Sequence, residues 1–164
     1  YDLIKAASPD TKVFCSLQID RVTGHLYGDK RSQWQMLDDP AVALPKQDLL
    51  GISTYLYGSP DVQQWSGLRE RTLPPLFIAE IGCVVGDTDY PMSEQAEFDQ
   101  QALLLQLPAM LQGLKIEGLV WITLADLDPD VVRGLPDWYY LLGILNHDLS
   151  PKTAWATWKH LKSD

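Results

Sequence analysis

Four short apolar runs, separated by polar or amphipathic segments, dominate the hydrophobic pattern of the chain. They cover residues 13–19, 49–55, 76–80 and 118–124. Short apolar runs that are bounded by Gly, Pro and polar residues are typical of strands buried in a parallel sheet. The pattern therefore predicts four strands.

The segments between and after these runs predict the helices. We expect a helix end at 1–7, short helices at 32–37 and 61–68, a long helix at 93–113 and a final helix at 151–161. Ser93 and Ser150 are suitable N-caps, and Pro151 suits the first helical position. Pro108 should kink the long helix or split it in two. Strands that alternate with helices indicate an α/β fold built on a parallel sheet.

A polar or aromatic residue lies at or near the end of each predicted strand. These residues are Gln18, Tyr55, Glu80 and Trp121. The carboxyl ends of parallel strands meet at one edge of the sheet, where α/β folds place their chemistry. Glu80 stands out because its carboxylate directly follows an apolar run. The sequence therefore predicts a functional site centred on Glu80.

Composition and charge narrow the classes of partner. The chain has 164 residues, of which 46% are hydrophobic, so we expect a single domain over 1–164 with a substantial core. The net charge of −9, with scattered Lys and Arg, argues against a nucleic acid or an anionic membrane as partner. No apolar stretch is long enough to cross a bilayer. The six Trp and seven Tyr can serve the core or stack on the apolar faces of sugars.

Three aspartates in a loop, Asp126, Asp128 and Asp130, resemble the start of a calcium-binding loop. The EF-hand pattern requires Gly at its sixth position and Glu at its twelfth. This chain has Val131 and Asp137 there. We therefore predict a solvated loop and no metal site.

The histidines and cysteines suggest no catalytic or metal cluster. His25, His147 and His160 share no common spacing and are predicted to lie at the surface. Cys15 and Cys83 fit no metal-ligand spacing and lie on strands that are not neighbours, so we expect two buried free thiols. The chain also lacks the phosphate-binding and dinucleotide-binding motifs, and no cofactor is predicted.

Four segments in order resemble the C-terminal half of a (β/α)8-barrel glycoside hydrolase. The superfamily is the large retaining one that includes β-galactosidases, cellulases, mannanases and endo-galactanases. The matching segments are LGISTY at 50–55, LFIAEIG at 76–82, GLVW at 118–121 and the tail at 140–161. The first three resemble the sixth, seventh and eighth barrel strands. The resemblance implies that the chain is a (β/α)4 half of a barrel, with strands like the fifth to the eighth and helices outside.

The resemblance also implies roles for individual residues. A carboxylate at the end of the seventh strand is the nucleophile in that superfamily, which assigns this role to Glu80. Tyr55 would hydrogen-bond the nucleophile, and Trp121 would form the floor of the subsite for the attacked sugar. Gln18 is a further substrate-binding candidate, although the superfamily often has His or an aromatic residue near that position. The acid/base is a Glu, usually after Asn, on the fourth strand, but that strand would precede Tyr1 and the chain has no Asn-Glu pair.

The sequence thus predicts part of a retaining glycoside hydrolase that cleaves β-glycosidic bonds in an oligo- or polysaccharide. The alternative is a non-catalytic half barrel that binds carbohydrate or has a structural role. Four parallel strands cannot close a barrel, so we expect a missing N-terminal half or a second copy to complete it. The isolated chain should be nearly inactive, because no acid would protonate the leaving group. The resemblance favours an extracellular or periplasmic location.

Overall fold

The computed structural model describes residues 1–19, 22, 46–57, 62–71, 73–84, 94–128, 130–131, 133–134 and 140–161. Its elements are, in chain order, α1 (Asp2–Ala7), β1 (Phe14–Gln18), β2 (Leu49–Tyr57), α2 (Val62–Arg69), β3 (Leu76–Val84), α3 (Glu94–Leu111), β4 (Ile116–Trp121) and α4 (Thr153–Leu161). All four predicted strands are present. The helix predicted at 32–37 lies outside the described residues.

The strands form one sheet in the order β1-β2-β3-β4. Strands β1 and β2 are parallel, in a register that pairs Phe14 with Leu49 and Gln18 with Ser53. The backbone N–H of Leu76 donates to Lys115 O at 2.7 Å, where β3 and β4 begin. The predicted α/β fold with a parallel four-stranded sheet is therefore confirmed.

Two strands are longer than predicted at their carboxyl ends. Strand β3 continues to Val84, so Glu80 is the fifth of its nine residues rather than its last. Strand β2 continues past Tyr55 to Tyr57. By contrast, β4 already ends at Trp121. The extension of β3 follows from the burial of Ile81 and Cys83, which are both inaccessible to solvent.

The helices show two further differences from the sequence prediction. Pro108 lies inside α3 without splitting it, since α3 runs unbroken from Glu94 to Leu111. A proline removes one helical hydrogen bond, and the burial of Leu107 before Pro108 and of Met110 after it offsets that loss. The last helix begins at Thr153 instead of Pro151. Pro151 instead forms an antiparallel bridge with Leu145.

The described residues divide into two compact units. The first contains residues from Tyr1–Thr54, Asp61–Glu80 and Gly113–Val120, and the second contains residues from Tyr55–Pro60, Ile81–Gln112 and Trp121–Asp164. The single domain over 1–164 remains a prediction.

Each unit has its own apolar core. In the first unit the buried side chains include Ile19, Leu50, Ile52, Trp65, Leu68 and Ile78. In the second unit they include Ile81, Leu103, Leu104, Met110, Leu142 and Ile144. Burial of one such side chain contributes about 1.5–3 kcal/mol. The alternation of buried Ile52 and Thr54 with half-buried Ser53 and Tyr55 shows that β2 presents one face to the core.

The two cysteines are free thiols, but they differ in burial. Cys83 is buried, as predicted, whereas Cys15 is exposed and the prediction of a buried thiol there is wrong. The reason is its position on β1, a terminal strand of the sheet. Among the described residues, no helix has the length and apolarity needed to cross a membrane.

Candidate functional site

The first unit carries Gln18 and Glu80. Gln18 is the last residue of β1 and is half-buried. Glu80 is also half-buried, within β3 and two residues after the fully buried Ile78. The apolar run therefore fixes the backbone that carries the Glu80 carboxylate, while its side chain keeps some access to solvent.

The second unit carries Tyr55 and Trp121, and Tyr55 lies beside Gly82 of β3. The Tyr55 ring lies 3.7 Å from the point where a Cβ on Gly82 would stand. Side-chain atoms of Ile122 and Leu142 lie 3.0 and 3.3 Å from the same point. Gly82 therefore lets the Tyr55 ring and the Leu142 side chain pack closely against β3.

Trp121 has the surroundings of a core residue. Its side chain is 7% exposed, and its ring meets Trp158 edge-on with centroids 5.9 Å apart. Its indole N–H donates to the backbone oxygen of Leu142 at 2.8 Å. The role of Trp121 as a sugar platform stays a prediction, as do the roles of Tyr55, Gln18 and Glu80.

A buried ion pair anchors the chain that follows β4. Lys152 Nζ lies 2.7 Å from Asp126 Oδ1, and their side chains are 1% and 7% exposed. The same oxygen accepts a hydrogen bond from Gly143 N at 2.9 Å. Burial raises the pKa of Asp126, although Lys152 and the Gly143 N–H oppose that shift. We refer to Asp126, Gly143 and Lys152 as the clasp.

The backbone around the clasp is tightly bonded. Asp126 N donates to Leu145 O at 2.9 Å, and Leu145 N donates to Leu124 O at 3.0 Å. A Cβ on Gly143 would lie 2.2 Å from Asp126 N, so this close approach requires glycine. Buried Gln100 on α3 donates to Gly143 O at 3.0 Å. Helix α3, the segment after β4 and the start of α4 are therefore held together.

The clasp corrects the sequence interpretation of this loop. The sequence predicts Asp126 in a solvated loop, but its side chain is buried in an ion pair with Lys152. The expectation holds for Asp130, which is exposed. Sequence reasoning missed the pair because its members are 26 residues apart and belong to no local motif.

The remaining polar candidates give no metal site in the described part of the chain. No group of three His, Cys, Asp or Glu there could hold a metal ion. His147 and His160 are exposed, as predicted. His25 lies outside the described residues.

Comparison with known proteins identifies the fold. No family model matches the chain, and no curated protein matches it. Among solved structures, a thermostable xylanase mutant (Xyn10A) from Cellvibrio japonicus aligns with a TM-score of 0.68 at 14% identity, covering 98% of this chain and 52% of that one. A psychrophilic family 10 endo-β-1,4-xylanase aligns with a TM-score of 0.65 at 14% identity, covering 95% of this chain and 48% of that one.

A β-D-glucuronidase from Dictyoglomus thermophilum is also similar, with a TM-score of 0.62 at 11% identity. The alignment covers 99% of this chain and 28% of that one. At these identities the similarity concerns the fold, and the chain spans about half or less of each matched protein. The predicted resemblance is confirmed at that level, because the chain has the fold of a partial (β/α)8 barrel like those of these glycoside hydrolases.

Proposed function

We propose that this chain is part of a retaining β-glycoside hydrolase in which Glu80 is the nucleophile. The observation that carries the proposal is a half-buried carboxylate on the third strand of a half barrel whose fold is shared with xylanases and β-glucuronidases. Polymers or oligomers of β-linked sugars are the proposed substrates.

Retaining hydrolysis uses two carboxyl groups about 5–5.5 Å apart. In the first step the Glu80 carboxylate attacks the anomeric carbon, the glycosidic C–O bond breaks, and an acid protonates the leaving oxygen. In the second step the same acid, now a carboxylate, removes a proton from water. That water attacks the anomeric carbon and releases Glu80 from the sugar.

The acid/base belongs, in this proposal, to a part of the barrel other than this chain. The sequence contains no Asn-Glu pair of the kind that the superfamily uses. We therefore expect negligible turnover from the 164-residue chain alone. A longer polypeptide that contains this chain and a four-stranded N-terminal half would supply both carboxylates.

The other site residues have proposed roles that follow from the resemblance. Tyr55 would donate a hydrogen bond to the nucleophile and keep it ionised, because such bonds favour the charged form. Gln18 would contact the substrate. Trp121 would form the floor of a sugar subsite, although its burial and its bond to Leu142 favour a supporting role for this side chain.

The test uses the complete gene product that contains this chain, with 4-nitrophenyl β-glucoside, β-xyloside and β-glucuronide as probes. Glu80→Gln should lower kcat/KM on the order of 10⁴-fold or more, as expected for loss of a nucleophile. Glu70→Gln is the matched control, because Glu70 is exposed and lies in the same unit. Added azide should restore turnover to Glu80→Ala by taking the place of the carboxylate, with a glycosyl azide as product.

Two results would reject the enzyme proposal. One is a complete gene product that binds a β-linked oligosaccharide but hydrolyses neither that oligosaccharide nor any of the three probes, which indicates the non-catalytic alternative. The other is a Glu80→Gln variant that keeps the activity of Glu70→Gln, which removes Glu80 from the mechanism.

A further inference from the structure

Three side chains of the second unit bond the backbone at Leu142 and Gly143. The Trp121 indole N–H donates to Leu142 O at 2.8 Å. Gln100 Nε2 donates to Gly143 O at 3.0 Å and lies 3.5 Å from Leu142 O. Gly143 N donates to Asp126 Oδ1 at 2.9 Å. A helix, a strand and the segment after that strand therefore all hold these two residues in place.

The side chain of Gln100 supplies hydrogen-bond donors at a cost in stability. It is inaccessible to solvent on α3, and its Oε1 has no hydrogen-bond partner among the described residues. A buried amide oxygen without a partner costs about 1–3 kcal/mol. Leu or Met would fill a similar volume without that cost. What Gln100 adds, and neither of them could, is an N–H for the Gly143 carbonyl.

The Leu142 side chain connects this backbone to Tyr55. Leu142 is inaccessible to solvent, and its Cδ2 lies 3.3 Å from the point where a Cβ on Gly82 would stand. Tyr55 Cδ1 lies 3.7 Å from the same point. Gly82 has no side chain, so the atoms packed around it, which include those of Leu142 and Ile122, define the space beside the ring. In a close-packed interior, a displaced Leu142 would open space that the ring could enter.

We propose that Gln100 is a positioning residue for Tyr55 and acts through Leu142. The side-chain donors fix the Leu142 backbone, the Leu142 side chain fills the space beside Gly82, and the Tyr55 ring keeps one orientation. The catalytic consequence rests on the proposed function, in which Tyr55 hydrogen-bonds the nucleophile. A displaced ring would orient the nucleophile less well, so Gln100 contributes to kcat rather than to substrate binding.

Fluorine NMR tests the positioning without any use of activity. 3-Fluorotyrosine replaces Tyr55 alone in the complete gene product that contains this chain. Gln100→Met and Gln100→Leu, which cannot donate, should both shift the fluorine signal. Gln101→Met is the matched control and should leave the signal unchanged, because Gln101 donates to Thr157 Oγ1 on α4 at 3.3 Å. Circular dichroism establishes that each variant is folded.

Leu142→Val tests the route from Gln100 to the ring. It removes the Cδ2 atom that faces Gly82 but keeps the carbonyl that accepts from Trp121. The fluorine signal should shift in this variant. Adding Gln100→Met to it should shift the signal little further, because the contact that transmits the effect is already lost. Additive shifts would show that Gln100 does not act through Leu142 and would overturn the proposal.

Kinetics with the β-glycoside probes connects the positioning to catalysis. Gln100→Met should lower kcat about 10-fold while KM stays within about twofold. Gln101→Met should change neither constant. In a Tyr55→Phe background, Gln100→Met should lower kcat no further, because the hydroxyl that it positions is absent. A loss of stability alone would instead lower the amount of active enzyme in both backgrounds.

The positioning and the proposed function fail separately. An inactive complete gene product rejects the proposed function, and the fluorine signal still decides whether Gln100 positions Tyr55. An unchanged signal in both Gln100 variants, or an equal shift in Gln101→Met, would overturn the positioning and leave the role of Glu80 untouched. In an active enzyme, an unchanged kcat for Gln100→Met, or an equal loss of kcat in the Tyr55→Phe background, would also overturn it.

Discussion

The two units contain ion pairs of nearly equal length and opposite electrostatic character. In the first unit Lys5 Nζ lies 2.8 Å from Asp48 Oδ2, with side chains 22% and 18% exposed. In the second unit Lys152 and Asp126 are 2.7 Å apart and almost completely buried. The hydrogen bond from Lys5, with a further bond from Val13 N, lowers the pKa of Asp48. Burial raises the pKa of Asp126 despite its lysine partner.

The two N–O distances are nearly equal, so the difference between the pairs lies in their surroundings. We expect those surroundings to decide how much each pair contributes to stability. A partly exposed pair such as Lys5 and Asp48 gains little, because water solvates both charges when the pair is broken. A buried pair is costly to form, and removal of one partner leaves the other charge buried and uncompensated. Asp48 and Lys5 therefore tie α1 to the start of β2 weakly. The clasp holds the chain after β4 firmly.

The largest expected effect is that of Lys152→Met. It keeps the volume of the side chain but leaves the Asp126 carboxylate buried without a cation, so we expect a loss of about 3–5 kcal/mol in the free energy of unfolding. Lys5→Met is the matched control in the partly exposed pair and should cost far less. Urea unfolding followed by circular dichroism measures both.

A double variant separates the charge from the packing. Combining Lys152→Met with Asp126→Leu should recover part of the loss, because no buried charge then remains. Equal stability losses for Lys152→Met and Lys5→Met would show that burial does not distinguish the two pairs.

Gly143→Ala should have the next largest effect. The added methyl would stand 2.2 Å from Asp126 N and 2.3 Å from Ala125 C, and backbone cannot yield as a flexible side chain does. We expect a loss of about 3 kcal/mol in unfolding free energy from this overpacking. Gly134→Ala is the control, since no atom of the described residues lies within 4 Å of the added methyl and its φ of +83° costs about 1–2 kcal/mol. Gly134→Ala being the more destabilising of the two would contradict the tight approach at the clasp.

The pH dependence of stability should change in opposite directions at the two aspartates. The pKa of Asp48 is lowered in the folded chain. Its contribution to stability is therefore present above pH 3.8, the ordinary pKa, and disappears as the pH falls through the folded-state pKa. The pKa of Asp126 is raised in the folded chain. Its contribution to stability is therefore present below pH 3.8, the ordinary pKa, and disappears as the pH rises through the folded-state pKa. Asp48→Asn should therefore make the chain less sensitive to acid, and Asp126→Asn more sensitive. Melting temperatures between about pH 3 and pH 7 measure this. Shifts of the same sign in both variants would refute it.

The smallest expected effect is a difference in alkylation between the two cysteines, one of which lies in each unit. Cys15 is exposed on β1, whereas Cys83 is buried and desolvation raises its pKa to about 12, with a further contribution from Asp99. The thiolate is the form that reacts. Iodoacetamide at neutral pH should therefore add one group to the native chain, at Cys15, and two in urea. Peptide mass spectrometry that finds native-state alkylation at Cys83 would contradict the core assigned to the second unit.

The sequence pattern was sufficient to predict the four strands and their order along the chain, because each apolar run is bounded by Gly, Pro or polar residues. It was not sufficient for the end of β3. The strand was predicted to end at Glu80, but in the fold Gly82 still belongs to it, and Ile122, Leu142 and Tyr55 fill the space beside Gly82. Such an approach depends on neighbouring strands and leaves no local signal.

The clasp, and the packing of Phe14 and Phe77 over two glycines, could not be predicted for the same reason. Asp126 and Lys152 are far apart in sequence, and an aspartate in a polar loop is solvated far more often than buried. Gly51 and Gly118 have meaning only opposite Phe14 and Phe77. Glu80, in contrast, is predicted as a site residue from the sequence alone, because its carboxylate directly follows an apolar run.

Covalent trapping tests most directly whether Glu80 is the nucleophile. The complete gene product is incubated with 2,4-dinitrophenyl 2-deoxy-2-fluoro-β-glycosides of glucose, xylose and glucuronic acid, whose glycosyl-enzyme esters hydrolyse slowly. Peptide mass spectrometry then locates the sugar. We predict a 2-fluoroglycosyl ester on the peptide that contains Glu80, and none on that peptide in Glu80→Gln. An active enzyme that carries the label on another carboxylate would contradict the account.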